Sequence, residues 1–389
     1  MQVNKIVVWI ILIMGCGSCI EPFEPELRES QEVMVINGVI TDQPGPHTVE
    51  ISLSTSYRDP IYKPVPGCAV RVVDERGESQ DYLEKEPGIY EAYLPASFLA
   101  VGKSYSIAVV APDGNEYRSD FDTLLACPPV DSVYFEVKSQ ETYDPGETLY
   151  GLQFYSDLET RSGSAANFRW ALEETWEYDS PYTPTYIWFG GERPIDTIFE
   201  DTVTTCYMSV PVKSVFTATT HSLSGREIKR NPLNYVSNET PRLKIRYSLL
   251  VEQQSLTNDA FEYWDRLKSM TQGTGGLYET QPPSSAGNLY NTDDPSERVL
   301  GYFYATQPRY KRIFVDERFD FRTHGYTCEV DTFQSPEEAY DKYLSLPVYL
   351  ISLSIEPVGP FPPFLSGYNA CFDCKRWGGT NVKPEYWEQ

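Results

Sequence analysis

The chain has 389 residues, with 56 Asp and Glu against 32 Lys and Arg, for a formal net charge of −24. Charge of this sign argues against binding a nucleic-acid backbone or docking electrostatically on anionic lipid, since both need a basic surface. With 41 % hydrophobic residues the chain can fill a core, and 29 Tyr, 30 Pro and 25 Gly with few helical runs point to a mainly β protein.

The first segment reads as a targeting signal, residues 1–18. Lys5 precedes the apolar run Ile6 to Met14, which falls short of the roughly 20 residues a membrane span needs. Gly15, Cys16, Gly17, Ser18 and Cys19 follow. The arrangement resembles a bacterial lipoprotein signal, cut before a cysteine that becomes lipidated. Cys19 is the preferred lipidation site because Gly17-Ser18-Cys19 resembles the relaxed signals of Bacteroidota lipoproteins; Cys16, after Ile13-Met14-Gly15, is the alternative. A secretory peptide cut elsewhere fits less well, because an apolar run ending at cysteine is specific. Residues 19–31 are acidic and Pro-rich and read as a tether, of the kind that sends such lipoproteins to the outer-membrane surface facing the cell exterior.

Residues 32–129 then read as an immunoglobulin-like β-sandwich. Strands are predicted over 32–41, 47–54, 69–73, 88–93, 105–111 and 121–126. The turns Asp74-Glu75-Arg76-Gly77 and Pro112-Asp113-Gly114-Asn115 separate them. Residues 130–389 read as a larger β-rich domain, with strands over 133–138, 149–155, 167–177, 214–220, 242–253, 299–305 and 346–355. Gly301 marks a close backbone approach within one of these. A single helix is expected near 256–271, N-capped by Ser255 or Thr257. Ala260, Phe261, Trp264 and Leu267 make its apolar stripe, and Gly273 stops it.

With Cys19 as the anchor, six cysteines remain: Cys68, Cys127, Cys206, Cys328, Cys371 and Cys374. In an exported chain an even count favours disulfides, and six allow fifteen pairings. Cys68 and Cys127 fall in one predicted domain and are expected to pair. Cys371-Phe372-Asp373-Cys374 is a C-x-x-C, the pattern of a redox pair or half a zinc site. A zinc knuckle needs a second close pair, whereas Cys206 and Cys328 are singletons, and no βαβ unit frames a redox motif. The preferred reading is therefore that Cys206 and Cys328 staple the C-terminal tail, with no metal.

Other chemistry is thin. His47, His221 and His324 are far apart, outside any H-E-x-x-H pattern and without a G-x-S-x-G elbow, so surface histidines are expected. Glu173 and Glu174 point to opposite faces of a strand and cannot share a glycosidase-type site. Asp293-Asp294-Pro295 reads as a turn, and Gly273-Thr274-Gly275-Gly276 lacks the Lys-Ser/Thr of a phosphate loop. The strongest binding candidate is the aromatic set Trp176, Tyr178, Tyr182, Tyr186, Trp188 and Phe189, either an exposed contact loop or, by alternation, the filling of a strand pair.

Several segments carry a family resemblance. They are Tyr247 to Leu256 entering the helix, Gly275-Gly276-Leu277-Tyr278, Gln281-Pro282, Gly287-Asn288-Leu289, Val299 to Phe303, the Cys371–Cys374 motif and Gly378-Gly379-Thr380. Val35-Ile36-Asn37-Gly38 near the start matches too. In order and content these resemble the Bacteroidota outer-membrane lipoprotein family called domain of unknown function 4249, over nearly the whole mature chain. The resemblance implies a surface lipoprotein encoded beside TonB-dependent outer-membrane transporters. It brings no catalytic residues and no cofactor. The expected function is a non-enzymatic binding or accessory partner of such a transporter or of another outer-membrane protein. A structural or assembly subunit is the alternative, and a surface hydrolase the weaker one.

Overall fold

The computed structural model describes residues 32–55, 61–141, 148–160, 165–191, 195–197, 203–221, 226–272, 287–353 and 363–388. Cys16, Cys19, the signal, the tether and Gly273 to Gly276 lie outside them. The first nine strands are β1 (Met34–Thr41), β2 (Gly45–Leu53), β3 (Lys63–Pro64), β4 (Ala69–Asp74), β5 (Ser79–Glu86), β6 (Ile89–Leu94), β7 (Ser104–Val110), β8 (Glu116–Ser119) and β9 (Asp122–Thr123). Then come β10 (Ser132–Glu141), β11 (Thr148–Glu159), β12 (Asn167–Asp179), β13 (Tyr186–Trp188), β14 (Ile195–Thr197), β15 (Thr205–Pro211), β16 (Phe216–Thr219), β17 (Glu227–Ser237) and β18 (Arg246–Leu256). Helix α1 (Asn258–Gln272) leads to β19 (Leu289–Asn291), β20 (Leu300–Thr306), β21 (Pro308–Val315) and β22 (Val330–Phe333). Helix α2 (Pro336–Tyr343), β23 (Val348–Ser352) and β24 (Phe364–Gly367) complete the set.

The mainly β character expected from the sequence is what is found. The N-terminal strands run in the order β19-β8-β7-β4-β5-β6-β2-β1-β20. β5 pairs with β4 through Ser79 to Tyr82 and with β6 through Leu83 to Glu86. The sheet therefore bends at β5 and curls round one core, in which Ile36, Val49, Val72, Tyr90, Tyr105 and Phe303 are fully buried. The path is continuous because β5 takes part on both sides, its first half with β4 and its second half with β6. Two of its strands come from beyond residue 129: β19 lies antiparallel to β8, and β20 lies parallel to β1.

Gly301, opposite Ile36 in that parallel pair, has φ +96°, and a Cβ there would run into the Ile36 carbonyl oxygen. Gly301→Ala is expected to cost about 2 kcal/mol, from the left-handed backbone and the blocked approach together; urea unfolding checks it.

In the second half the sheets β10-β11-β17 and β15-β12-β18-β21 enclose a common core containing Phe154, Leu158, Trp170, Leu249 and Val251. Helix α1 begins at Thr257, whose hydroxyl accepts from Ala260 N–H at 3.4 Å. Its buried Ala260 and Tyr263 and half-buried Phe261 and Trp264 cover Tyr302 and Tyr304 of β20. Tyr263 stacks on Tyr302 with ring centroids 4.5 Å apart. The helix thus couples the two halves.

A fourth sheet, β14-β13-β23-β24-β22, carries α2. Two disulfides tie the tail down: Cys206 of β15 to Cys374, and Cys328 to Cys371. The expected Cys68–Cys127 bond does not form; both thiols are free. The reason is that they belong to different cores. Cys68 packs against the N-terminal core, whereas Cys127 is buried in the second, beside Gln253. Burial pushes the Cys127 thiol up to about 11, which leaves it unreactive.

Candidate binding site

Alternation along β4 turns Val70, Val72 and Asp74 into the core and leaves Ala69, Arg71 and Val73 on the outer face. Two tight hairpin turns hold the neighbouring strands in register. Asp74 accepts from the backbone N–H of Arg76 and Glu78 at 3.0 and 2.9 Å, with Gly77 at φ +85°. Asp113 accepts from Asn115 N–H at 3.1 Å.

That register places Tyr290, Arg118, Ala108, Arg71 and Asp81 directly opposite one another across β19, β8, β7, β4 and β5. A small residue stands between two long ones. The strands bearing Arg71 and Arg118 lie about 10 Å apart, two inter-strand spacings, and Ala108 leaves the space between them open. Ser106 and Ala69 extend the small-residue floor, and Phe121 joins Tyr290 on the rim. The result is a trough of about 640 Å³, within the size range of small-ligand sites.

Its polar walls are pre-ordered. Arg71 Nε donates to Asp81 Oδ1 at 2.6 Å. Arg118 donates through Nε and Nη2 to Glu116 Oε1 at 2.8 and 2.6 Å. Such solvent-exposed pairs contribute only about 0–1 kcal/mol of stability, so their effect is to hold the guanidinium planes in place. Phe121 and Tyr290 are 56 % and 40 % exposed, large apolar surface left in water beside the trough.

The aromatic set read either as a contact loop or as the filling of a strand pair is mostly packed. Trp176 and Tyr178, on β12, are buried in the second core. Tyr178 donates its hydroxyl to the Cys374 carbonyl at 2.8 Å. Tyr182 packs on Phe372, and Tyr186 and Trp188 form β13, paired to β23. Trp188 is buried against Tyr340. Phe189 is the exposed member. The alternation reading prevails because β13 is covered by its own small sheet and by α2.

His221 and His324 are exposed as expected, but His47 is buried. His47 Nδ1 donates to the Gly45 carbonyl and Nε2 accepts from Thr41 N–H at 3.2 Å. Burial lowers its pKa despite these bonds. Asp294 accepts from Ser296 N–H and Oγ, closing a turn.

Among the described carboxyls, Asp122 is strongly perturbed. Burial pushes it up to about 6, against the hydrogen bonds from Thr257 and the Ala305 N–H. It joins β9 to the start of α1 and to β20. A carboxyl raised on folding binds its proton more tightly in the native state. Its contribution to stability is therefore whole below the unfolded value near 4 and declines as pH rises through 6. Asp122→Asn is expected to remove this decline, at most about 1.4 kcal/mol per pH unit. Because His47 has the opposite sign, the variant's stability should instead fall as pH drops below about 6.5. Thermal melts of both proteins from about pH 4 to about pH 7, the range spanning the ordinary Asp and His values, check the two opposite slopes.

The trough residues escaped sequence reading because they come from five strands. The available signal was small residues, Ser106 and Ala108, at outward positions of β7, where a solvated face ordinarily carries longer polar side chains.

These features define a mainly β protein with a disulfide-braced tail and a trough on the outer face of a curled sheet. The chain belongs to the family described as Domain of unknown function (DUF4249), whose model matches residues 20–312. The match ends within β21, so Cys328, Cys371 and Cys374 lie beyond it. No curated protein matches the chain.

Proposed function

We propose that this protein is a lipid-anchored subunit on the outer-membrane surface that binds a ligand and serves a TonB-dependent transporter, without chemistry of its own. The observation that carries this reading is the trough. It is open to solvent, its floor is set on fully paired strands, and its lining contains no histidine, cysteine or lysine. Its arginines are held by carboxylates, which suits holding a ligand by contact. The lipoprotein-like start at Cys19 and the acidic tether support the outer-membrane part of this reading. Exposed Leu83 and Tyr93, on the neighbouring strands β5 and β6, favour a second reading in which the protein is an assembly subunit with an obligate partner.

Crosslinking and affinity purification from native outer membranes test the proposal. Recovery of a transporter with the bait supports it. A bait that emerges without one, or a mature amino terminus free of acyl chains by mass spectrometry, overturns it.

A further inference from the structure

We propose that the trough binds a neutral oligosaccharide; this deepens the binding role proposed above and rests on it. The first argument is charge. The lining carries two arginines, Arg71 and Arg118, against three carboxylates, Asp81, Glu116 and Asp120. On a chain of net charge −24, this gives an anion no net attraction, while a cation meets Asp81 and Glu116 already paired with Arg71 and Arg118. A neutral ligand meets neither obstacle.

The second argument is hydrogen-bonding character. Arg71 donates through Nε to Asp81, which sets guanidinium donors beside carboxylate acceptors in the lining of the trough. Arg118 and Glu116 form a second donor–acceptor pair across the floor, joined through both Nε and Nη2. Adjacent fixed donors and acceptors match vicinal hydroxyls, each of which both donates and accepts. The third argument is the rim. Phe121 and Tyr290 present exposed ring surface, which packs against the C–H face of a pyranose at low entropy cost.

An extended peptide fits less well. Strand addition needs a free backbone edge, but the floor strand β7 is already paired on both sides, with β4 and β8. A wholly apolar ligand would have to desolvate both ion pairs, at a cost.

The test is calorimetry of the purified chain with linear gluco-, manno- and galacto-oligosaccharides. Sulfated oligosaccharides, oligogalacturonates and extended peptides serve as comparators. Saturable binding of a neutral sugar, unchanged by added salt, is expected. Phe121→Ala and Ala108→Trp should each weaken it at least about tenfold, whereas Tyr290→Phe, which keeps the ring, should retain it. Both affected positions face outward, so melting temperatures should stay at the parent value. Binding confined to anions or peptides, no binding to any neutral sugar, or neutral binding indifferent to Phe121→Ala and Ala108→Trp overturns the proposal. If the chain binds no sugar but still recovers a transporter from native membranes, the ligand class falls and the accessory role stands. If sugar binds and no transporter is recovered, the reverse holds.

Discussion

Replacing Cys374 or Cys206 with serine is expected to lower the unfolding free energy by about 2–4 kcal/mol, the typical worth of a native disulfide. The bond closes a loop with a sequence separation of 168, and chain entropy alone sets a ceiling of roughly 5 kcal/mol for a loop of that length. Cys328–Cys371, with a separation of 43, has a ceiling about 1 kcal/mol lower, so Cys328→Ser should be the milder change. The loss should centre on the tail. Trp387 is buried there, donating Nε1 to Glu177 at 2.9 Å, and Thr380 pairs with Tyr207. Denaturant unfolding gives the energies, and hydrogen exchange gives the location. Non-reducing peptide mapping of the parent should recover the 206–374 and 328–371 linkages with Cys68 and Cys127 free. Free thiols at Cys371 and Cys374 would contradict the arrangement.

Glu174→Ala is expected to cost about 3–5 kcal/mol, the usual penalty for orphaning a buried ionic partner. Glu174 sits inside the second core, its side chain 6 % exposed. One carboxylate oxygen accepts from Asn234 Nδ2 at 2.6 Å, from the Tyr247 hydroxyl at 2.8 Å and from Arg242 Nη1 at 2.8 Å. The other also accepts from Arg242 Nη1, at 2.9 Å. Four donor interactions therefore converge on one anion, drawn from β17, β18 and the short 3₁₀ turn Pro241–Leu243. Arg242 keeps a 21 % exposed side chain, so water recovers part of its charge and the lower half of the range is favoured. Tyr247→Phe removes one hydrogen bond and should cost about 1–2 kcal/mol. The double change Glu174→Leu with Arg242→Leu should recover much of the loss, since an apolar pair leaves no stranded charge. Urea titrations decide the matter; a Glu174→Ala protein within about 1 kcal/mol of the parent, inside the ordinary range for a single hydrogen bond, would show that the network is not cooperative.

Local rules carried the reading of the sequence a long way. Alternation located β1, β2, β4, β7 and β12, and the same period put Glu173 and Glu174 on opposite faces: one is 44 % exposed and the other buried. The stripe on α1 and the close approach at Gly301 were legible for the same reason, because each depends on a few adjacent residues. β5 was not. Its sequence SQDYLEKE buries Tyr82 alone, since the strand forms the bend between two halves of a sheet and has little core to face. β17 was hidden by Pro232 and by Arg230 at φ +55°, which fit an edge strand with irregular pairing to β11. The cysteine partners turned on which core each residue joins. Cys127 falls just before the expected boundary at Pro128-Pro129 yet packs on the far side of it. The trough needed the register of five strands at once, which no window of sequence contains.

The parallel pairing of β1 with β20 has a consequence for how the molecule is made. A ribosome delivers β1 long before β20, and until then the nascent sheet carries an unfinished parallel edge, the kind of surface that invites mispairing. Closing it is a late, long-range event, which slows folding relative to neighbour-to-neighbour hairpins. A fragment cut at the apparent linker after residue 129 would inherit that open edge permanently and lack Phe303, one of the fully enclosed rings at its centre. The first-made sheet is therefore completed only by strands that lie far along the chain.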